Sequence, residues 1–235
     1  MQVLIVHAHE EPKSFNGAMR DLAVRVLTEA GHEVTVSDLY AMRFDPVGGR
    51  RDFTRLKDSE FFKYGVEQAH ATRAGTFAPD VADEQRKVFA ADFVIFQFPL
   101  WWFGLPAILK GWVDRVFAAG LVYGGGKWYS NGAFRGKRAM LALTTGGGPA
   151  IYSARGLNGD MEQILFPINH GILYFTGFDV LPPFVAWSPA RITAEQRARC
   201  LDEYRDRLLS WQTATPIPYH PLTDYDENFE LKPGL

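Results

Sequence analysis

The chain reads as an α/β protein: a five-stranded parallel sheet covered by helices on both faces. Three observations carry that expectation. Short β-rich apolar runs recur along the chain, starting with Gln2–Val6 (QVLIV) near the terminus. Amphipathic helical segments separate them. One run passes directly through an aromatic cluster into a helix, at Phe96–Phe117 (FQFPLWWFGLPAILKGWVDRVF). In that helix Leu105, Ile108, Leu109, Trp112, Val113, Val116 and Phe117 repeat at three- and four-residue spacing. A strand, loop and helix with flat aromatics at the strand's carboxyl end is where an open α/β sheet receives a planar ligand. Leu143–Gly148 (LTTGGG) is its partner stretch.

Taken in order, Gln2–Val6 is the first and central strand. A polar loop, His7–Lys13, follows, and then Ser14 precedes a segment in which Phe15, Met19, Leu22, Val26 and Ala30 mark an amphipathic helix ending at Gly31. Ser14 is placed to cap that helix, and the amides with the helix dipole would form an anion site at the mouth of strand one. The same cap serves equally well in a helix that binds nothing. Glu33–Ser37 is strand two. From Asp38 to about Pro79 the periodicity is poor and Arg50, Arg51, Asp52, Arg55 and Lys57 crowd the segment, so it is expected as a long functional or partner-contacting loop. Val81–Ala91 reads as helix and Asp92–Phe98 as strand three.

Beyond the aromatic helix, Leu121–Phe134 is rich in glycine and aromatics. Gly124-Gly125-Gly126-Lys127 lacks the upstream glycine and the following Ser/Thr of a phosphate loop, so a tight turn is expected. Lys137–Thr145 is strand four, and the spacing of Gly146–Gly148 does not match GxGxxG. Glycines there let a flat ligand lie close to the backbone; the working reading is a flavin site. Leu157–Phe175 is an interrupted helix, Asp179–Val185 is strand five, and Ala194, Ala198, Leu201, Leu208 and Trp211 give a final helix. Residues 1–215 are therefore read as one domain and 216–235, with Pro216, Pro218 and Pro221, as an extended tail.

Composition narrows the function classes. A length of 235 residues suffices for one substantial core. Net charge is −2, so no basic surface argues for nucleic acid or anionic lipid. Cys200 is the only cysteine, which excludes an intrachain disulfide and a CxxC motif. Phe93–Leu109 carries no charge, but Gln97, Gly104, Pro99 and Pro106 interrupt it and a spanning helix wants about 20 apolar residues, so no membrane insertion is expected. The N-terminus lacks a basic lead-in, and a cytoplasmic protein is expected. His7 and His9 lack a carboxylate or cysteine partner for a metal.

The segments HAHEEPKSFNGAM, SDLYAMRFDP, FQFPLWWFGLPAILKGW, TTGGG…YS…GD and PINHGILYFTGF, in that order, resemble the NAD(P)H:quinone reductases of the DT-diaphorase family over nearly all of Val3–Pro216. The resemblance implies a flavodoxin-like doubly wound fold, bound FAD in preference to FMN, a homodimer with the site at its interface, and two-electron reduction of a quinone by a reduced nicotinamide (NADPH, NADH or dihydronicotinamide riboside). Carried over residue by residue, it places the flavin pyrophosphate at His9, Ser14, Phe15, Asn16 and Ala18. It places the isoalloxazine along Pro99, Leu100, Trp102 and Phe103, with Thr144, Thr145, Gly146 and Gly147 at its edge and Arg197 near the adenylate half.

The same resemblance puts Tyr152, Asn158 and Gly147 in the catalytic set, with Tyr152 also contacting the flavin. The substrate rim comprises Trp102, Phe103, Tyr123, Trp128 and Phe175, part of it from the partner subunit. Asn158 stands where the family's catalytic histidine would lie, and an amide cannot take up a proton near neutral pH; asparagine here is the pattern of the branch that uses dihydronicotinamide riboside. Gly125 replaces a second gating tyrosine, with Trp128 near enough to refill the space. His170 and Tyr174, one helical turn apart, lack the second histidine of the metal-bearing branch, so no metal is expected. By the same resemblance, the chain is expected to lack the C-terminal extension that helps hold the ADP part of NAD(P)H in the longer members. Two other readings stay open: a regulatory flavoprotein subunit of a membrane ion transporter, for which the charged Asp38–Pro79 stretch would serve docking, and a one-electron flavodoxin carrier, which the near-neutral charge disfavours.

Overall fold

The computed structural model describes residues 1–235. Five parallel strands, β1 (Gln2–His7), β2 (Glu33–Asp38), β3 (Phe93–Pro99), β4 (Arg138–Thr144) and β5 (Asp179–Ala186), form one sheet in the order β2-β1-β3-β4-β5. Strand order reverses between β1 and β3, where crossovers leave toward opposite faces and open a crevice at the strands' carboxyl ends.

The central strands are buried on both sides because their residues alternate between two cores. Val3 and Ile5 of β1 face one core and Leu4 and Val6 the other; Phe93 and Ile95 of β3 oppose Val94, Phe96 and Phe98. The smaller core lies under α1 (Phe15–Glu29) and α6 (Ala194–Leu209). The larger contains α3 (Pro79–Ala90), α4 (Ala107–Val116) and α5 (Met161–Ile168). β5 is an edge strand, where Pro182 and Pro183 are tolerated because one side needs no ladder partner, and pairing with β4 is irregular between Met140 and Ala142.

Three expectations are corrected. The stretch 38–79 is not a long loop: it contains a 3-10 turn, Arg50–Asp52, and a helix, α2 (Tyr64–Ala74). Helix α2 escaped detection because its buried face is polar. Glu67 accepts from the Lys57 and Asp58 amides at 2.6 and 3.0 Å, and Gln68 bonds the Asp114 carbonyl and the Ala119 amide, each at 3.2 Å. Next, α5 continues past Pro167 into a π-helical segment, Asn169–Tyr174, rather than breaking, so His170 and Tyr174 are not separated by an ordinary turn, although their ring centroids lie 5.5 Å apart. Finally, α6 ends at Leu209, and Trp211 beyond it stacks on Phe93 with centroids 4.5 Å apart.

The C-terminal segment returns to the body instead of leaving it. The Ile217 amide bonds the Val180 carbonyl at 2.7 Å, the Tyr174 hydroxyl donates to the His220 carbonyl at 2.7 Å, and the Leu222 amide donates to Ser130 Oγ at 3.1 Å. The triglycine forms the expected tight turn: Gly124, Gly125 and Gly126 all have positive φ, and the Lys127 amide closes onto the Gly124 carbonyl. No helix is long and apolar enough to cross a membrane.

Candidate active site

A groove of about 900 Å³ lies across the carboxyl ends of β1, β3 and β4. Its first wall is the turn entering α1. Ser14 has the extended backbone of an N-cap, and its Oγ accepts from the Gly17 amide at 3.1 Å. The amides of Phe15 and Asn16 precede any helical acceptor and remain for a ligand. No acidic residue occupies the first turn of α1, so its dipole is not offset from within the helix, and Lys13 adds a cation.

Two close contacts shape this turn. His9 Nδ1 accepts from the Glu11 amide at 3.1 Å, which leaves the ring's proton on Nε2. Gly17 is held under the loop: a Cβ there would lie 2.0 Å from the Pro12 carbonyl oxygen. No local pattern marks Gly17; only the approach of the loop makes its missing side chain matter.

The second wall joins β3 to β4. The Leu100 amide donates to the Thr144 carbonyl at 2.8 Å and extends the ladder past Pro99. Trp101 and Gly104 exchange backbone hydrogen bonds at 3.2 and 3.0 Å, closing a tight loop in which Trp102 and Phe103 both adopt left-handed φ, 49° and 59°. That conformation costs roughly 1–2 kcal/mol per non-glycine residue. Trp102 is 98% exposed and Phe103 49%, so neither is a core anchor. Thr145 Oγ1 donates to the Gly147 carbonyl at 2.8 Å and shapes the glycine turn.

The far end of the groove lies against α6 and the loop before it. Arg197 donates through Nη1 to the Ile192 carbonyl at 2.7 Å and thereby braces that loop.

The expected residues His9, Ser14, Phe15, Asn16, Ala18, Pro99, Leu100, Thr144, Thr145, Gly146 and Arg197 all line this one groove. Lys13, Trp101, Pro189, Ala190, Ala194, Ala198 and Leu201 line it too and were not anticipated. Trp101 belonged to a visible aromatic triplet; Pro189 and Ala190 carry no local signal and arrive only because α6 docks beside α1.

Other expected residues fall outside the groove lining. Tyr152 packs beside Gly147, where an added Cβ would come within 3.4 Å of its ring, and it tilts against Trp187 with centroids 5.7 Å apart. The Asn158 amide closes the same loop onto the Ile151 carbonyl at 2.9 Å, so Asn158 and Tyr152 share one turn. Trp128 and Phe175 border a separate aromatic cavity of about 480 Å³ with Tyr129, Tyr174 and Phe229. Tyr123 and Phe175 adjoin a third hollow beside Tyr64 and Gln68. Within one chain, therefore, Tyr123, Trp128 and Phe175 lie apart from the groove, while Trp102 and Phe103 stand in the loop beside it. Burial holds the His170 imidazole below its ordinary pKa, and there is no cluster of three or more His, Cys, Asp and Glu side chains that could hold a metal ion.

The donor set of the groove fits a phosphorylated planar ligand: free helix-terminal amides and a cation at the α1 turn, with a wall of Pro99, Leu100, Trp101 and Thr144–Gly146 beside it.

A family profile described as a flavodoxin-like fold matches residues 1–209. The chain is 46% identical to the guinea-pig (Cavia porcellus) NAD(P)H dehydrogenase [quinone] 1, over 97% of this chain and 84% of that one. It is also 46% identical to the human ribosyldihydronicotinamide dehydrogenase [quinone], over 92% and 94% of the two chains. A Klebsiella pneumoniae crystal structure assigned as a quinone reductase superposes with a TM-score of 0.96 at 44% identity, covering 99% of this chain and 94% of that one. By fold and by near full-length sequence identity, the chain belongs to the flavodoxin-like family of NAD(P)H dehydrogenases (quinone).

Proposed function

We propose that this protein is an FAD-dependent homodimeric reductase that takes a hydride from a reduced nicotinamide and passes it to a quinone, the two substrates occupying one place in turn. The observation that carries the reading is the groove itself. Its phosphate-binding turn sits between a planar wall at β3–β4 and a further arm along α6 lined by Pro189, Ala190, Ala194, Arg197 and Ala198. A mononucleotide needs only the first two parts; the α6 arm is the space an adenylate half would take, which favours FAD over FMN.

When bound, FAD supplies hydride acceptance and delivery. The chain's own groups bind and orient. Ser14 holds the α1 turn so that the Phe15 and Asn16 amides would hold the diphosphate, to which Lys13 would add charge. Pro99, Leu100 and Trp101 exclude water from one side of the groove. Tyr152, beside Gly147, offers a hydroxyl as donor to negative charge developing at the ring edge. Asn158 would orient by hydrogen bonding and neither takes up nor releases a proton near neutral pH. The exposed Trp102 and Phe103, and the rim residues Tyr123, Trp128 and Phe175, face substrate once a second copy brings its rim over this groove.

The test is anaerobic stopped-flow on the purified protein, mixing NADPH, NADH and dihydronicotinamide riboside separately and then a simple quinone. Fast flavin bleaching by one donor and fast recovery on quinone are expected, and flavin released by denaturation should chromatograph as FAD. Bleaching by none of the donors would overturn the reductase reading and favour a regulatory flavoprotein.

A further inference from the structure

We infer that His7, at the end of β1, is a positioning residue for the anion-binding end of the groove: it orients the Gln97 carboxamide, which seats the first turn of α1. His7 and Gln97 are fully buried and Asn16 is 3% exposed. Strand register sets His7 beside Gln97 of β3 and Asp38 of β2. Gln97 Nε2 donates to the Asn16 carbonyl at 2.7 Å, and Asn16 Nδ2 donates to Thr144 Oγ1 at 2.9 Å. Buried polar groups thus run from β1 through β3 and α1 to β4, beneath the two amides that await a phosphate.

Each end of the Gln97 carboxamide needs a partner. Nε2 has the Asn16 carbonyl. Oε1 is buried without a partner, and so are both nitrogens of the His7 imidazole, which register sets beside it on β1. A carboxamide fits its site almost equally well in two orientations, and only its partners distinguish them. A His7 N–H facing Oε1 selects the orientation that aims Nε2 at Asn16. Reversed, two oxygens would face each other and push the α1 turn off the sheet.

The other charged groups around the ring do not compete. Asp38 Oδ2 is already bonded to Arg20 of α1 at 2.9 Å, and His9 lies on the following loop. Burial keeps the imidazole neutral, with one N–H to give.

The inference rests on the flavin reading of the groove, and the test separates the two. Apoprotein would be titrated with FAD by fluorescence quenching in wild type, His7→Leu and His7→Gln, while the backbone amide resonances of Phe15 and Asn16 are followed by NMR without ligand. Losing one buried hydrogen bond predicts FAD affinity weakened about tenfold in His7→Leu. His7→Gln, which restores a side-chain N–H, should recover it. The Phe15 and Asn16 resonances should move in His7→Leu and return in His7→Gln. Unmoved resonances in His7→Leu would overturn the inference whatever the affinity does. If no protein takes up FAD, the flavin reading fails and the resonances alone decide His7.

Discussion

At the scale of single residues, the site depends on groups whose importance comes from what touches them. Gly17→Ala would drive a methyl into the Pro12 carbonyl. Overpacking of this kind costs about 1–3 kcal/mol, and relief by moving the loop would weaken FAD binding about tenfold or more in a fluorescence titration of the apoprotein. Tyr152→Phe removes only the proposed donor: flavin should stay bound while the reductive half-reaction slows about tenfold to a hundredfold in stopped-flow, and an unchanged rate would remove Tyr152 from the mechanism. His7 titrates against burial, which lowers its pKa from 6.5 to about 4. Above pH 6.5 the ring is neutral in folded and unfolded chains alike; between 6.5 and about 4 only the unfolded chain gains the proton. Stability is therefore complete above 6.5 and declines by about 3 kcal/mol as pH falls through that window, measurable by urea unfolding at several pH values. His7→Leu should show a correspondingly smaller decline. Cys200 is half-buried and its thiol is pushed up to about 11 by burial and then by Glu203, so it should react slowly with disulfide reagents at pH 7.5.

At the scale of elements, the charged stretch between β2 and α3 is held by one buried cation. Arg115 of α4 donates from Nε to Asp52 at 2.9 Å, from Nη2 to Asp80 at 2.7 Å and from Nη1 to the Asp45 carbonyl at 2.8 Å, and its guanidinium lies 4.7 Å from the Phe44 ring centroid. Tyr64 of α2 donates to the other oxygen of Asp52 at 2.5 Å, and burial, then that carboxylate, raise the Tyr64 pKa. Arg115→Leu would leave the Asp52 charge buried without its partner. Such a break costs about 3–5 kcal/mol, and amide exchange should rise first across residues 45–64. Exchange unchanged there would mean that apolar packing alone holds the segment. Arg115 was hidden in the sequence inside an apolar helix repeat, and its partners come from distant segments; chain order gave no cue to the pairing.

At the scale of the whole molecule, Tyr123, Trp128 and Phe175 sit apart from the groove within one chain, and an indole 98% exposed beside the groove is apolar surface awaiting cover. A homodimer predicts about twice the 26.5 kDa chain mass by light scattering. Trp102→Lys should shift that mass toward the monomer if Trp102 lies in the interface; a dimer of unchanged stability would remove it from the contact.

The strands, the order of elements, the Ser14 cap and the glycine turn after strand four were legible from residue pattern, because period-two and helical repeats, caps and glycine turns are local rules that neighbouring residues enforce. The family motifs added the identity of the lining but not its surroundings. Helix α2, the π-helical segment after Pro167, the returning C-terminal segment and the His7–Gln97–Asn16 line were decided by tertiary structure alone. In each case polar groups are satisfied by partners far away in the chain, and a hydrogen bond across the fold leaves no period in the sequence.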